Sequence, residues 1–116
     1  MNKKTRETVY GKYNGHCAYC GKELTMGTMQ VDHIDPKRRY ADQKIADRIE
    51  NLNPSCSRCN HYKRSGDIEY LRKMLLNMQD KVIGTYLGKV AVDYGMVEWN
   101  GWDGKFYFEK SEPWKL

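Results

Sequence analysis

The sequence predicts a small α+β fold cross-linked through its cysteines, with helices added behind the cross-linked module and a β-hairpin at the C-terminal end. Three observations carry that expectation. The chain has 116 residues and a 40% apolar composition, room for one modest core that gains from an extra cross-link. Its four cysteines fall in two C-x-x-C pairs, Cys17/Cys20 and Cys56/Cys59, separated by 35 residues. Strand-like and helix-like patterns are mixed along the chain, with no internal repeat and no low-complexity tract.

The elements are expected in this order. Residues 4–13 read as a short helix breaking near Gly11 or Gly15, leading into the first cysteine knuckle. Met29 to Pro36 reads as a short strand stopped by the proline, with Val31 and Ile34 apolar and Asp32, His33 and Asp35 polar. Residues 37–50 are nearly all polar and read as a loop, with Ile45 and Ile49 as its apolar anchors. Asn51-Leu52-Asn53-Pro54 leads into the second knuckle, and Ser57 to Gly66 reads as a helix with Gly66 at its C-cap. Asp67 is a good N-cap for the next helix, whose stripe of Ile68, Leu71, Leu75 and Met78 follows helical spacing and reads as core. Residues 81–94 read as helical. Val97-Glu98-Trp99, then Asn100 to Gly104, then Lys105 to Glu109 reads as a β-hairpin. Trp99, Trp102 and Trp114 suit hydrophobic packing or a protein partner. The expected organisation is residues 1–66 as the stapled module, with residues 67–116 packed on it as one unit.

Zinc follows from the cysteines. No apolar segment follows the charged N-terminus, so the expected compartment is the reducing cytoplasm, where disulfides are rare. The two-residue spacing lets both sulfurs of a pair face one centre, and two pairs complete a tetrahedron. Gly21 supplies a residue tolerant of positive φ after the first knuckle. A redox dithiol or an iron–sulfur cluster is the alternative. Four protein ligands leave no open position, so the zinc is expected to be structural.

Charge is unevenly placed. Residues 1–66 hold 13 Lys and Arg against 7 Asp and Glu, whereas residues 67–116 hold 7 against 8. The basic half suggests a face turned to a polyanion. No stretch has the apolar length a membrane span needs.

Cys17-x-x-Cys20, Val31-Asp32-His33-Ile34-x-Pro36, Asn51-Leu52 and Cys56-x-x-Cys59-Asn60-x-x-Lys63 together resemble the HNH endonucleases. The likeness spans residues 15–65, and less specifically the two ends of the chain are similar to small phage-encoded proteins of that kind. The resemblance implies a ββα-metal nuclease module around one catalytic divalent cation, Mg²⁺ or Mn²⁺, acting on DNA, expected to be double-stranded. RNA is not excluded as a target. It implies His33 as general base, Asp32 and Asn60 as ligands of the cation, and Asn51 as the residue that holds the loop and orients His33. The residue types suit those tasks: histidine changes charge near neutral pH, and a carboxylate is a hard oxygen ligand. Neighbouring strand residues point to opposite faces, so the strand must end or bulge for Asp32 and His33 to serve one site. The third letter of the family's name is Asn60 here, and His61 beside it is the alternative ligand. Asn53 competes with Asn51 for the orienting role. Lys37, Arg38, Arg39, Lys63 and Arg64 are the expected nucleic-acid contacts, with Lys63 one turn beyond Asn60 and reaching a phosphate. A non-catalytic zinc module binding DNA or a protein is the alternative, disfavoured by intact Asp32, His33, Asn51 and Asn60.

Overall fold

A computed structural model describes residues 1–111. Trp114 lies outside the described residues. Helix α1 spans Lys3–Gly11 and opens on the Asn2 side chain, which accepts from the Thr5 amide. It buries Val9, and just past its end Lys12 turns inward to donate to the carbonyls of Leu52 at 2.6 Å and Ile49 at 3.1 Å. Burial pushes the Lys12 pKa down.

Strands β1 (Gln30–His33) and β2 (Leu52–Ser55) form an antiparallel pair in which Asp32 faces Asn53 and His33 faces Leu52. β1 stops at His33, before Pro36, as the polar pair requires. The segment between the strands makes a 3₁₀ turn at Lys37–Arg39, the short helix α2 at Gln43–Ala46 and a second 3₁₀ turn at Ile49–Asn51. Its anchor differs from expectation: Ile45 is 51% exposed and Ala46 is the buried residue. The Asp42 cap sets the phase of α2, and that phase turns Ile45 outward. Ile49 does pack against the core.

Helix α3 (Ser57–Lys63) leaves the second knuckle, and α4 (Ile68–Leu76) follows with the expected Asp67 cap, whose carboxylate accepts from the Tyr70 amide at 2.8 Å. Gly66 is not the C-cap of α3. That place belongs to Arg64, at φ 54° and ψ −131°. Gly66 instead lies close beneath the exposed Tyr70 ring, which a Cβ there would push aside. Helices α5 (Met78–Val82) and α6 (Tyr86–Asp93) agree with the helical reading of residues 81–94.

The C-terminal hairpin does not form. Gly101 and Gly104 both adopt positive φ, making successive turns rather than one reversal. The hydrogen bonds a partner strand would have supplied go to the first knuckle: Tyr107 N–H donates to the Tyr19 carbonyl and Phe108 N–H to that of Ala18. The chain then enters the short helix α7 (Tyr107–Lys110), with the Glu109 carboxylate accepting from the Phe106 amide at 2.8 Å. Phe106 therefore joins Val9, Tyr19, Leu24, Met29, Leu52 and Leu71 in one core cluster.

Candidate active site and metal centre

The knuckles bring Cys17, Cys20, Cys56 and Cys59 together, their sulfurs all within 4.8 Å of one another. A tetrahedral Zn–S₄ centre needs sulfurs about 3.8 Å apart. The Cys20–Cys56 pair stands at 3.9 Å, so these residues are positioned to hold a metal ion. Backbone amides already solvate the sulfurs: Cys56 N–H donates to Cys17 Sγ and Cys59 N–H to Cys56 Sγ. The Cys59 thiol, with the backbone amides of Cys20, Cys56 and Tyr19, holds the Cys17 thiol well below its usual pKa, favouring the thiolate a metal needs. Gly21 beside the first knuckle takes φ 82°, as expected of it.

A cleft of about 450 Å³ opens where the end of β1 meets α3. It is lined by Asp32, His33, Lys37, Arg38, Asn60 and Arg64, among others, so these sequence-selected residues converge on one place. His61 is exposed and does not line it.

Asp32 is 6% exposed and sits at the floor. The Tyr19 hydroxyl donates to its Oδ2, and Lys63 Nζ lies 3.0 Å from the same oxygen. Oδ1 takes no hydrogen bond from the described residues. Burial raises the Asp32 pKa, while Lys63 and Tyr19 pull it back. Asn60 donates its amide hydrogen to Gln30 Oε1 at 2.5 Å, leaving its own carbonyl oxygen. Two hard oxygen donors at one cleft fit a small divalent cation.

Lys63 departs from expectation. Spacing placed it on the same face as Asn60, but that face packs inward: Lys63 is 1% exposed. Its ammonium donates to the carbonyls of His33 and Gly66, each at 2.8 Å, besides pairing with Asp32. All three of its protons are thus used inside the protein, and none is free to reach a phosphate. Arg39 is also engaged, with Asp67 at 2.7 Å and Asp35 at 3.4 Å. Lys37, Arg38 and Arg64 remain exposed at the rim, with Arg38 donating to the Ser65 carbonyl.

His33 shows a partner that the sequence did not reveal. Its Nε2 lies 2.6 Å from Asp47 Oδ1. A carboxylate only accepts, so Nε2 carries the proton and Nδ1 is left with its lone pair. Asn51 holds the geometry. Its side-chain nitrogen donates to the carbonyls of Asp35 at 3.1 Å and Ala46 at 2.9 Å, and its oxygen accepts from the Asp35 amide at 2.9 Å. Asn51 thereby clamps the chain just after His33 to the chain just before Asp47. Asn53 is fully buried, and its side chain makes no hydrogen bond among the described residues. Asp47 carried no signal of its own, being one carboxylate in a polar stretch with no periodic pattern.

The family model of the HNH endonucleases matches residues 17–66, which hold both knuckles and the cleft residues. That segment belongs to the HNH endonuclease family. A CRISPR-associated endonuclease Cas9 of Corynebacterium diphtheriae is 40% identical over 52 residues, covering 45% of this chain and 4% of that protein. The crystal structure of a Type II-C Cas9 enzyme from Actinomyces naeslundii matches with a TM-score of 0.50 and 27% identity, over 60% of this chain and 8% of that one. The chain therefore spans a small fraction of either relative's length. The HNH segment, with its two-strand sheet, its helix and its four-cysteine centre, is the part that positions the cleft. Among the described residues no helix is long and apolar enough to cross a membrane.

Proposed function

We propose that the protein is a metal-dependent DNA endonuclease in which His33 activates water, with zinc in the four-cysteine site as a structural ion. The observation that carries this reading is the His33–Asp47 pair at the mouth of a cleft that also contains Asp32 and Asn60. Asp32 and Asn60 would hold a Mg²⁺ or Mn²⁺, which when bound would supply positive charge to the scissile phosphate and the leaving oxygen. His33 Nδ1 takes the proton of the attacking water as its oxygen bonds to phosphorus and the P–O3′ bond breaks. Asp47 keeps the ring in the required tautomer and steadies the imidazolium that forms. Asn51 positions both by fixing the loop. Lys37, Arg38 and Arg64 at the rim suit contacts to the DNA backbone, which need positive charge and no base reading.

The test is cleavage of supercoiled plasmid with Mg²⁺ by wild type and His33→Ala, with EDTA as a third arm. Wild type is expected to nick or linearise the plasmid, EDTA to stop it, and His33→Ala to be slower by about 10²–10⁴-fold at unchanged DNA affinity. Equal cleavage by both proteins would overturn the role of His33. Plasmid left intact by zinc-loaded wild type would favour a non-catalytic DNA-binding module.

A further inference from the structure

We propose that Tyr19 is a positioning residue for the Asp32 carboxylate, transmitting the rigidity of the cysteine knuckle to the cleft. This rests on Asp32 being a ligand of the catalytic cation. Tyr19 lies between two of the zinc-site cysteines, Cys17 and Cys20, so its backbone is set by the knuckle. Its ring is held edge-on by Phe106 and Phe108, with centroids at 5.7 and 6.1 Å and interplanar angles of 82° and 90°. The C-terminal segment also binds the knuckle's backbone through the amide of Tyr107. Backbone and ring are thus both fixed, and the hydroxyl is delivered to Asp32 Oδ2.

The chemistry of the contact is directional. A carboxylate oxygen only accepts, so the Tyr19 hydroxyl is the donor in this contact. Asn53, paired with Asp32 across the strands, makes no side-chain hydrogen bond among the described residues, so Tyr19 and Lys63 are the side chains that engage this carboxylate. Tyr19 and Lys63 both engage Oδ2, which leaves Oδ1 as the oxygen without a hydrogen bond among the described residues, on a residue that lines the cleft. Lys63, held in place by the His33 and Gly66 carbonyls, presents a point charge, which fixes distance better than angle. The phenol is rigid and sets the carboxylate plane. The aromatic C-terminal segment acquires a task by the same logic: it buttresses the ring that aims a ligand.

The test uses zinc-loaded protein and Mn²⁺ as the probe, with binding followed by calorimetry and by the loss of the free-ion spin-resonance signal. Tyr19→Phe keeps the ring and removes only the donor. Its zinc content is expected to match wild type, with Mn²⁺ bound about 10-fold more weakly or worse. The Mg²⁺ midpoint of plasmid cleavage should rise by a similar factor while the saturating rate is largely kept. A merely structural role would lower the melting temperature without moving the Mn²⁺ affinity. Asp32→Ala is the reference. If it weakens Mn²⁺ binding and Tyr19→Phe does not, the role of Tyr19 is overturned and the ligand reading stands. If Asp32→Ala binds Mn²⁺ as wild type does, the ligand reading falls and this inference with it. Should Tyr19→Phe fail to retain zinc, Phe108→Leu loosens the ring without touching the hydroxyl. It should weaken Mn²⁺ binding by a smaller factor, and unchanged affinity would overturn the proposal.

Discussion

The module around the cleft and the arm formed by α5 and α6 use their side chains in opposite ways. In the module even polar groups are inside: Asn51, Asn53, Asp32 and Lys63 are all buried. In the arm apolar groups are outside: Tyr86 is 86% exposed and Leu87 79%, and neither helix buries a residue. Apolar content does not explain the contrast, because the arm is the more apolar of the two. Connectivity does. The module is closed by four convergent cysteines and by backbone hydrogen bonds from three distant parts of the chain, so polar side chains can be held where water would otherwise take them. Among the described residues the arm's side-chain hydrogen bonds are local, such as the Thr85 hydroxyl accepting from the Gly88 amide.

Breaking the closure should produce the largest effect. Cys56→Ser removes a ligand from a centre whose metal binding contributes on the order of 10 kcal/mol to folding. The expected outcome is an unfolded module, read by circular dichroism and by metal content. A folded, metal-free protein would contradict it. Phe106→Ala comes next. This residue is buried between Tyr19 and Trp102, and the substitution should cost about 3–5 kcal/mol in urea unfolding.

A smaller effect joins the C-terminal segment to α4. Arg72 grips Glu109 through two hydrogen bonds at 2.8 and 2.7 Å and holds its carboxyl below the ordinary value of 4.5. A carboxyl whose pKa is lowered by folding stabilises above its unfolded pKa and loses that contribution as pH falls through the lowered one. Thermal melts should therefore drop below about pH 4.5, and Arg72→Met should remove about 1 kcal/mol or less of that dependence. The smallest effect belongs to the arm. Leu87→Ser should change stability by less than about 0.5 kcal/mol, and a larger loss would mean that the arm is held as the module is.

What the sequence revealed follows the same division. The metal centre was legible because each cysteine pair is a local pattern, and Asp67 was legible because a cap acts within one turn. The convergence of Asp32, His33 and Asn60 on one cleft was legible by resemblance to a family pattern. Asp47 was not, because its meaning comes from a loop fold set by Asn51, whose hydrogen bonds reach residues 35 and 46. Lys63 was misplaced because helical spacing tells which residues share a face and not whether that face is covered. The hairpin was misread for a similar reason. Its turn signals are real, but the partner that takes its backbone is the knuckle at Ala18 and Tyr19, far away in sequence.

Arg64 holds a left-handed backbone conformation that glycine would adopt freely, at the edge of the cleft. A non-glycine residue there carries a standing cost of about 1 kcal/mol or more. Directed evolution for thermal tolerance alone would therefore drift toward Arg64→Gly and score it as an improvement. The same change deletes an exposed guanidinium where a polyanion would pass. If Arg64 contacts the DNA backbone as proposed, heat resistance and grip on the substrate would pull this one codon in opposite directions, so a library built here should be sorted on both traits at once.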